Sequence, residues 1–251
     1  MGATRRGTEV DHRYRSGSPV PRHRSTEPVG RPLAFDGPRG GSAAVVPQVP
    51  PADSLYVRFC KPVIDRVAAA VILLLALPLI LVVAATVLLT LGRPVLYRQR
   101  RVGQGGEVFR VWKFRTMLPD RRVSEHPVDV DRRVCHKRED DPRHTRVGTV
   151  LRRWRLDELP QVVNIMAGSM SLVGPRPELV EVVSRYQPWQ HRRHAVKPGL
   201  TGLWQVSTPT FSGLMHENTH IDLDYIDRIG LRTDLRILLR TVTCVLARSG
   251  R

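Results

Sequence analysis

Arg152-Arg153-Trp154-Arg155-Leu156-Asp157-Glu158-Leu159-Pro160-Gln161 is the stretch on which the reading of this chain turns. Two adjacent carboxylates lie among three arginines, just ahead of a proline. Pro160 suits the first turn of a helix, where a missing N–H costs nothing. Val162, Val163 and Met166 then fall on one helical face. The spacing thus puts Asp157 near a helix N-terminus, where the dipole favours an ionised carboxylate and attracts phosphate. An Asp in this position is ordinarily an N-cap, and a Glu beside it ordinarily complements the dipole. Pro160 weakens that plain role, because it removes one donor that a cap would engage. An ionised carboxylate beside phosphate-attracting cations is what nucleophilic attack on a phosphoryl group requires.

The rest of the chain gives that stretch its setting. At 251 residues with a formal charge of +17, one domain with appendages or two small ones is expected, with anionic partners. Nucleic acid, an anionic membrane face and phosphorylated substrates all suit that charge. Cys60, Cys135 and Cys244 are far apart and in no metal spacing, so neither a disulfide framework nor a zinc site is expected. Residues 1–54, rich in Arg, Pro, Gly and Ser, read as a disordered basic tail. Such a tail is either dispensable or an electrostatic tether to anionic lipid.

Val67 to Leu91 carries no charge. As one helix it would extend about 37 Å at 1.5 Å per residue, enough to cross a bilayer. Pro78 lies near its middle and should break the hydrogen-bond ladder. Basic residues stand on both flanks: Arg58, Lys61 and Arg66 before, and Arg93, Arg98, Arg100 and Arg101 after. The positive-inside tendency would keep both flanks on one side. A spanning helix and a helix–break–helix that dips and returns both remain open on these residues.

Beyond it, Val95-Leu96-Tyr97 and Val108-Phe109-Arg110-Val111-Trp112 read as strands joined by a turn at Gly103, Gly105 and Gly106. Lys113 and Arg115 close that hairpin with two cations. No Gly-Lys-Ser/Thr follows the glycines, so a P-loop is not expected. Residues 118–140 read as a charged surface excursion, and Thr149 as the cap of a short helix leading to Asp157. Ser171 to Val173 and Leu203 to Val206 suggest short strands, and Leu179 to Tyr186 a helix. Gly174-Pro175-Arg176-Pro177 fixes backbone tightly around one arginine, and Lys197-Pro198-Gly199 is a similar rigid loop. In the last helix Leu235, Leu238, Leu239, Val242, Val245 and Leu246 form one stripe, facing either a core or a membrane interface.

Taken together and in order, these motifs resemble the monotopic phosphoglycosyl transferases, the bacterial sugar transferases that start glycoconjugate assembly on polyprenyl phosphate. The pieces are Lys61 with Asp65, Pro78, Arg110-Val111-Trp112-Lys113-Phe114-Arg115-Thr116-Met117, Asp141-Pro142-Arg143, Thr145-Arg146-Val147-Gly148, Leu156-Asp157-Glu158-Leu159-Pro160-Gln161, Met170 through Glu178, and Lys197-Pro198-Gly199-Leu200-Thr201-Gly202. The likeness covers about residues 58–246. It implies an α+β fold: a re-entrant membrane helix hairpin at residues 55–92, and a small cytoplasmic catalytic domain at 93–251 with amphipathic interfacial helices and short strands. It implies transfer of a sugar-1-phosphate from a nucleotide sugar, usually a UDP-sugar, to undecaprenyl phosphate with release of UMP, on the cytoplasmic face of the bacterial inner membrane, in exopolysaccharide or glycoconjugate synthesis.

The resemblance further implies residue roles. Asp157 is the nucleophile that carries a phosphosugar, and Glu158 is its acidic partner and the ligand of Mg²⁺. Arg152 and Arg176 bind substrate phosphate, with Lys113, Arg115 and Lys197 as further substrate-binding cations. Some positions depart from the pattern. Arg155 stands where a small hydroxyl residue is common, Pro62 replaces a basic residue, and Thr208-Pro209 replaces Gly-Arg. A homo-oligomer is compatible with the sequence. The alternative class is a basic, membrane-anchored nucleic-acid- or lipid-binding module without catalysis. No recognised nucleic-acid motif appears, so nucleic acid is not an expected partner.

Overall fold

The computed structural model describes residues 49–118, 143–207 and 218–246. Residues 1–48 of the basic tail, the excursion at 118–140 beyond Leu118, and Thr208-Pro209 lie outside the described residues, while Ala52 of the expected tail donates its amide to the Ala195 carbonyl at 2.9 Å. The described chain mixes helices with two small sheets.

After a π-helical turn at Tyr56–Cys60, helix α1 runs Lys61–Leu91 with Pro78 inside it. The expected break at Leu77-Pro78 is not an interruption. A proline deletes one i→i−4 bond and crowds the carbonyl four residues back, but here helical backbone continues on both sides. The helix is mostly uncovered. Leu74, Leu75 and Leu89 are 72, 76 and 85 % exposed. Its inner side touches the rest of the chain along both halves. Ala68, Ala69, Ile72 and Leu73 join a core with Val111, Val162, Ile165 and Met170. Ile80, Val83, Ala84 and Val87 join a second core with Phe114 and Leu151.

Polar contacts fasten both ends of α1. Near its start Lys61 pairs with buried Asp234, whose carboxylate also accepts from Tyr56 and Tyr225 at 2.8 Å each. Asp65 accepts from the Leu172 amide at 3.1 Å. At the far end Arg115 donates to the carbonyls of Leu91, Gly92 and Arg93. A cation at a helix C-terminus satisfies carbonyls that have no partner within the helix.

Strands β1 (Leu96–Val102) and β2 (Val108–Phe114) form the expected hairpin, pairing from Leu96↔Phe114 to Val102↔Val108. The turn between them uses Gly105 and Gly106 at positive φ. Thr145, rather than Thr149, caps helix α2 (Arg146–Arg153), accepting from the Gly148 amide at 3.0 Å. A 3₁₀ turn at Leu156–Glu158 and helix α3 (Gln161–Met166) follow. Strand β3 (Ser171–Val173) lies parallel to β5 (Gly199–Thr201), and β4 (Glu178–Leu179) adds to the free side of β1. Helix α4 is only Val180–Val183. Leu203–Ser207 is helix α5 rather than a strand, a short apolar run whose period does not separate the two.

Helices α6 (Thr219–Asp227) and α7 (Leu231–Leu246) complete the described chain. Asp234 and Ile237 of α7 are buried, while Leu235, Leu239 and Val242 are exposed. Most of the apolar stripe therefore turns outward, while Leu238 packs against the core. The same inversion occurs in α3, where Val162 and Ile165 are buried but Val163 and Met166 are exposed.

Asn164 decides how α3 meets the hairpin. Its Oδ1 accepts from the Trp112 amide at 3.0 Å and its Nδ2 donates to the Arg110 carbonyl at 2.8 Å. An unpaired buried polar group costs about 1–3 kcal/mol. Asn164→Leu strands two of them and should destabilise the protein by about 2–4 kcal/mol in urea unfolding. A change below about 0.5 kcal/mol would show that water replaces the amide.

Candidate active site

The carboxylate pair is shaped by the backbone ahead of it. Helix α2 ends at Arg153, and Arg155 adopts a left-handed conformation at φ 55. This geometry costs a side-chain-bearing residue about 1–2 kcal/mol. The reversal rolls Leu156–Glu158 into the 3₁₀ turn and buries Asp157 and Glu158. Asp157 thus precedes α3 by several residues rather than opening it. It makes no cap bond, and Pro160 takes the capping position. A helix of six residues offers little dipole, so side-chain cations take over the role expected of the helix start.

Those cations converge on Glu158. Lys113 Nζ lies 2.9 Å and Arg176 Nη2 2.8 Å from Glu158 Oε1. Arg155 Nη1 stands 3.9 Å from Oε2. Burial pushes the Glu158 carboxyl up, but Arg176 and Lys113 outweigh it and hold it well below the usual carboxylate range. Asp157 goes the other way. Burial, then the Glu158 charge, raises it to about 6, although Lys113 and Arg176 pull it down. Two neighbouring carboxyls are thus driven apart, which is how one site keeps a spectator charge and a poised group together.

The cleft beside them is lined by Arg101, Lys113, Glu158, Gln161 and Arg176. Arg101, in the sequence only one of the basic residues after the apolar run, joins the cleft. Its Nη1 donates to the Pro177 carbonyl at 3.1 Å and lies 3.7 Å from Glu178. The hairpin register would have found it. Tyr97↔Lys113 and Gln99↔Val111 pairing puts residues 97, 99 and 101 on the face that carries Lys113.

The Arg176 loop is held from behind. Buried Arg193 donates to the Arg176 carbonyl at 2.9 Å and pairs with buried Asp222 at 2.6 Å. It also donates to the Tyr186 hydroxyl. Burial, then the charges of Arg193 and His191, push neighbouring His194 down to about 3, so it adds no charge. Gly174 crosses the Lys197–Gly199 loop so closely that a Cβ there would stand 2.4 Å from the Lys197 carbonyl. Any side chain would push the two loops apart.

Not every expected residue joins the cleft. Asp157, Glu158, Lys113 and Arg176 come together. Arg115 does not, because the strand ends at Phe114 and its side chain caps α1. Arg152 donates to the Thr116 carbonyl and hydroxyl at 3.4 and 3.3 Å and to Thr149 at 3.4 Å. Lys197 lies beside Arg66, over Gly168. For magnesium, Glu158 Oε1 is committed to two cations, leaving Oε2 and the adjacent Asp157. One or two carboxylates suit an ion that keeps several waters and takes phosphate oxygens. Among the described residues no group of three or more His, Cys, Asp or Glu could cage a metal.

A paired, charged carboxylate, a poised one and converging cations define a site for phosphorylated ligands. The chain belongs to the bacterial sugar transferase family, whose model matches residues 56–248. It is 40 % identical over 204 residues to the UDP-glucose:undecaprenyl-phosphate glucose-1-phosphate transferase of Caulobacter vibrioides, covering 78 % of this chain and 73 % of that one. It is 39 % identical over 193 residues to the protein of the same description from Escherichia coli, covering 74 % and 40 %. It is 39 % identical over 162 residues to the galactosyl transferase CpsE of Streptococcus agalactiae, covering 63 % and 36 %. The chain thus spans well under half the length of the last two.

Removing one partner of a buried ion pair costs about 3–5 kcal/mol. Asp222→Asn should lose that much in urea unfolding, whereas Tyr186→Phe should lose about 1 kcal/mol. Equal small losses would mean that Arg193 does not depend on Asp222.

Proposed function

We propose that this protein transfers a sugar-1-phosphate from a UDP-sugar to undecaprenyl phosphate and releases UMP. The observation that carries the reading is Asp157, poised near 6 beside a Glu158 held ionised by Lys113 and Arg176. The printed activities of the Caulobacter and Escherichia relatives support the donor and acceptor classes.

In the first step an Asp157 oxygen attacks the phosphorus that bears the sugar. The bond from that phosphorus to the bridging oxygen breaks, and UMP leaves with the electron pair. Asp157 now carries the sugar phosphate as a mixed anhydride. In the second step a phosphate oxygen of the lipid attacks the same phosphorus, and the Asp157 carboxylate leaves. No proton need move in either step. The anionic charge is met by Arg176 and Lys113, fixed before the substrate arrives. Glu158, with the adjacent Asp157, would hold Mg²⁺, whose charge would offset that of the diphosphate.

The reading places the site at the cytoplasmic face of the inner membrane. The outward apolar residues support this: Leu74 and Leu75 on α1, Val163 and Met166 on α3, and Leu235 and Leu239 on α7 are all exposed. Exposed apolar surface on this scale marks a membrane or protein contact, and helix Tyr56–Leu91 is long and apolar enough to cross one.

Two outcomes test the chemistry. Asp157 must be ionised to attack, so kcat/KM for the donor should fall tenfold per unit below about pH 6 and level off above it. A limb at the ordinary carboxylate position, about 4, would exclude Asp157 as the titrating group. Asp157→Asn should abolish UMP release and the phosphosugar adduct seen by intact-protein mass spectrometry of the wild type. An adduct that persists in the variant would move the nucleophile elsewhere.

A further inference from the structure

Lys197 and Arg66 are two cations that stand outside the transfer cleft. Lys197 projects from the rigid Val196-Lys197-Pro198 segment and is half-buried, while Arg66 is exposed. A Cβ on Gly168 would lie 3.1 Å from Arg66 Nη2 and 3.7 Å from Lys197 Nζ. The two nitrogens therefore stand no more than about 7 Å apart, a gap that one phosphate can bridge with charge-assisted hydrogen bonds of about 2.8 Å to each.

Among the described residues no carboxylate pairs with either cation. Among the described residues Arg66 makes only a long bond, Nη1 to the Pro62 carbonyl at 3.5 Å. Lys197 has no ion pair there. Neighbouring Asp65 is engaged by the Leu172 amide and stands 4.0 Å from Lys61. Burial, then the Arg66 charge, pushes the Lys197 ammonium down despite the pull of Asp65. Two like charges held in this way repel until an anion joins them.

We propose that Arg66 and Lys197 bind the phosphate of an anionic phospholipid headgroup where α1 enters the membrane, a proposal that rests on the membrane reading above. Arg66 is the last charged residue before the uncharged Val67–Leu91 run, which is where headgroups lie. Val63, Ala70 and Leu77 stand three residues before and four and eleven residues after Arg66, share its side of α1 and are all exposed, so acyl chain has a surface to run along. The pair is distinct from the transfer site. Neither Arg66 nor Lys197 lines the cleft formed by Arg101, Lys113, Glu158, Gln161 and Arg176.

The test uses the full chain in detergent, titrated with phosphatidylglycerol or phosphatidylcholine and followed by native mass spectrometry. The double variant Arg66→Gln/Lys197→Gln should bind phosphatidylglycerol at least fivefold more weakly. Lys197→Arg should keep the affinity, as should the control Arg100→Gln/Arg110→Gln on the hairpin. Equal loss in the control would reduce the site to general charge and overturn it. Unchanged affinity in the double variant, with a raised KM for undecaprenyl phosphate, would assign the pair to the carrier lipid and overturn the headgroup assignment. No change in either quantity would remove the site altogether. Flotation with vesicles of the two phospholipids separates the failures: wild-type protein that does not float sinks the membrane reading, whereas floating protein with an unaffected variant sinks only this site.

Discussion

A carboxylate buried as deeply as Glu158 can stay ionised only if cations are buried with it, and that constraint organises the protein. Lys113 comes from strand β2 and Arg176 from the loop after β3, so Glu158 is where the hairpin and the loop meet. Removing either cation would leave a charge in low dielectric, so the pieces are held in register by electrostatics as much as by packing. The Glu158 charge then acts on its neighbour. It sits beside Asp157, adds to burial in raising that carboxyl to about 6, and leaves it ionised at neutral pH yet weakly solvated. A nucleophile toward phosphorus benefits from such weak solvation, and the flanking cations offset the repulsion of an anionic substrate.

The arginine that meets Glu158 is itself fixed. Prolines on both sides restrict its backbone, the Gly174 crossing sets the height of the loop, and Arg193 grips the Arg176 carbonyl while resting on Asp222. Each support lies one layer further from the cleft and is more completely buried. A cation prepared in this way loses little entropy when a phosphate arrives. The left-handed Arg155 is the matching expense on the other wall. That cost is carried at the turn that buries both carboxylates.

Chemistry was legible in the sequence where it lay in a local run, and obscure where it depended on register or length. Asp157-Glu158, Lys113 and the Gly-Pro-Arg-Pro loop stand out as residue types in rigid or charged contexts. Lys113 and Arg115 look equivalent, yet the strand ends between them and sends one to Glu158 and the other to the end of α1. Arg101, Arg193 and Asp222 are ordinary charges in sequence and gain meaning only through strand pairing or burial. The stripe of α7 was visible as a stripe, but periodicity does not say which side faces out. Asp234 holds the answer, because its carboxylate is claimed by Lys61, Tyr56 and Tyr225 and so turns the leucines away.

The attachment of α1 bears on how the proposed enzyme would meet a bilayer. Its first half packs on the core around Val162 and Met170, and its second half on the core around Phe114 and Leu151. Arg115 ties its last carbonyls to the hairpin, and Lys61 ties its first turn to α7. A helix crossing a hydrocarbon layer of about 30 Å could keep those contacts only by drawing the domain in after it. That would include the Lys113–Glu158–Arg176 cluster, and charge at membrane depth is expensive. Releasing either end would instead uncover buried apolar residues and strand Asp234 or Arg115. In the proposed reading both ends would therefore stay at one surface, with the uncovered leucines around Pro78 as the immersed part.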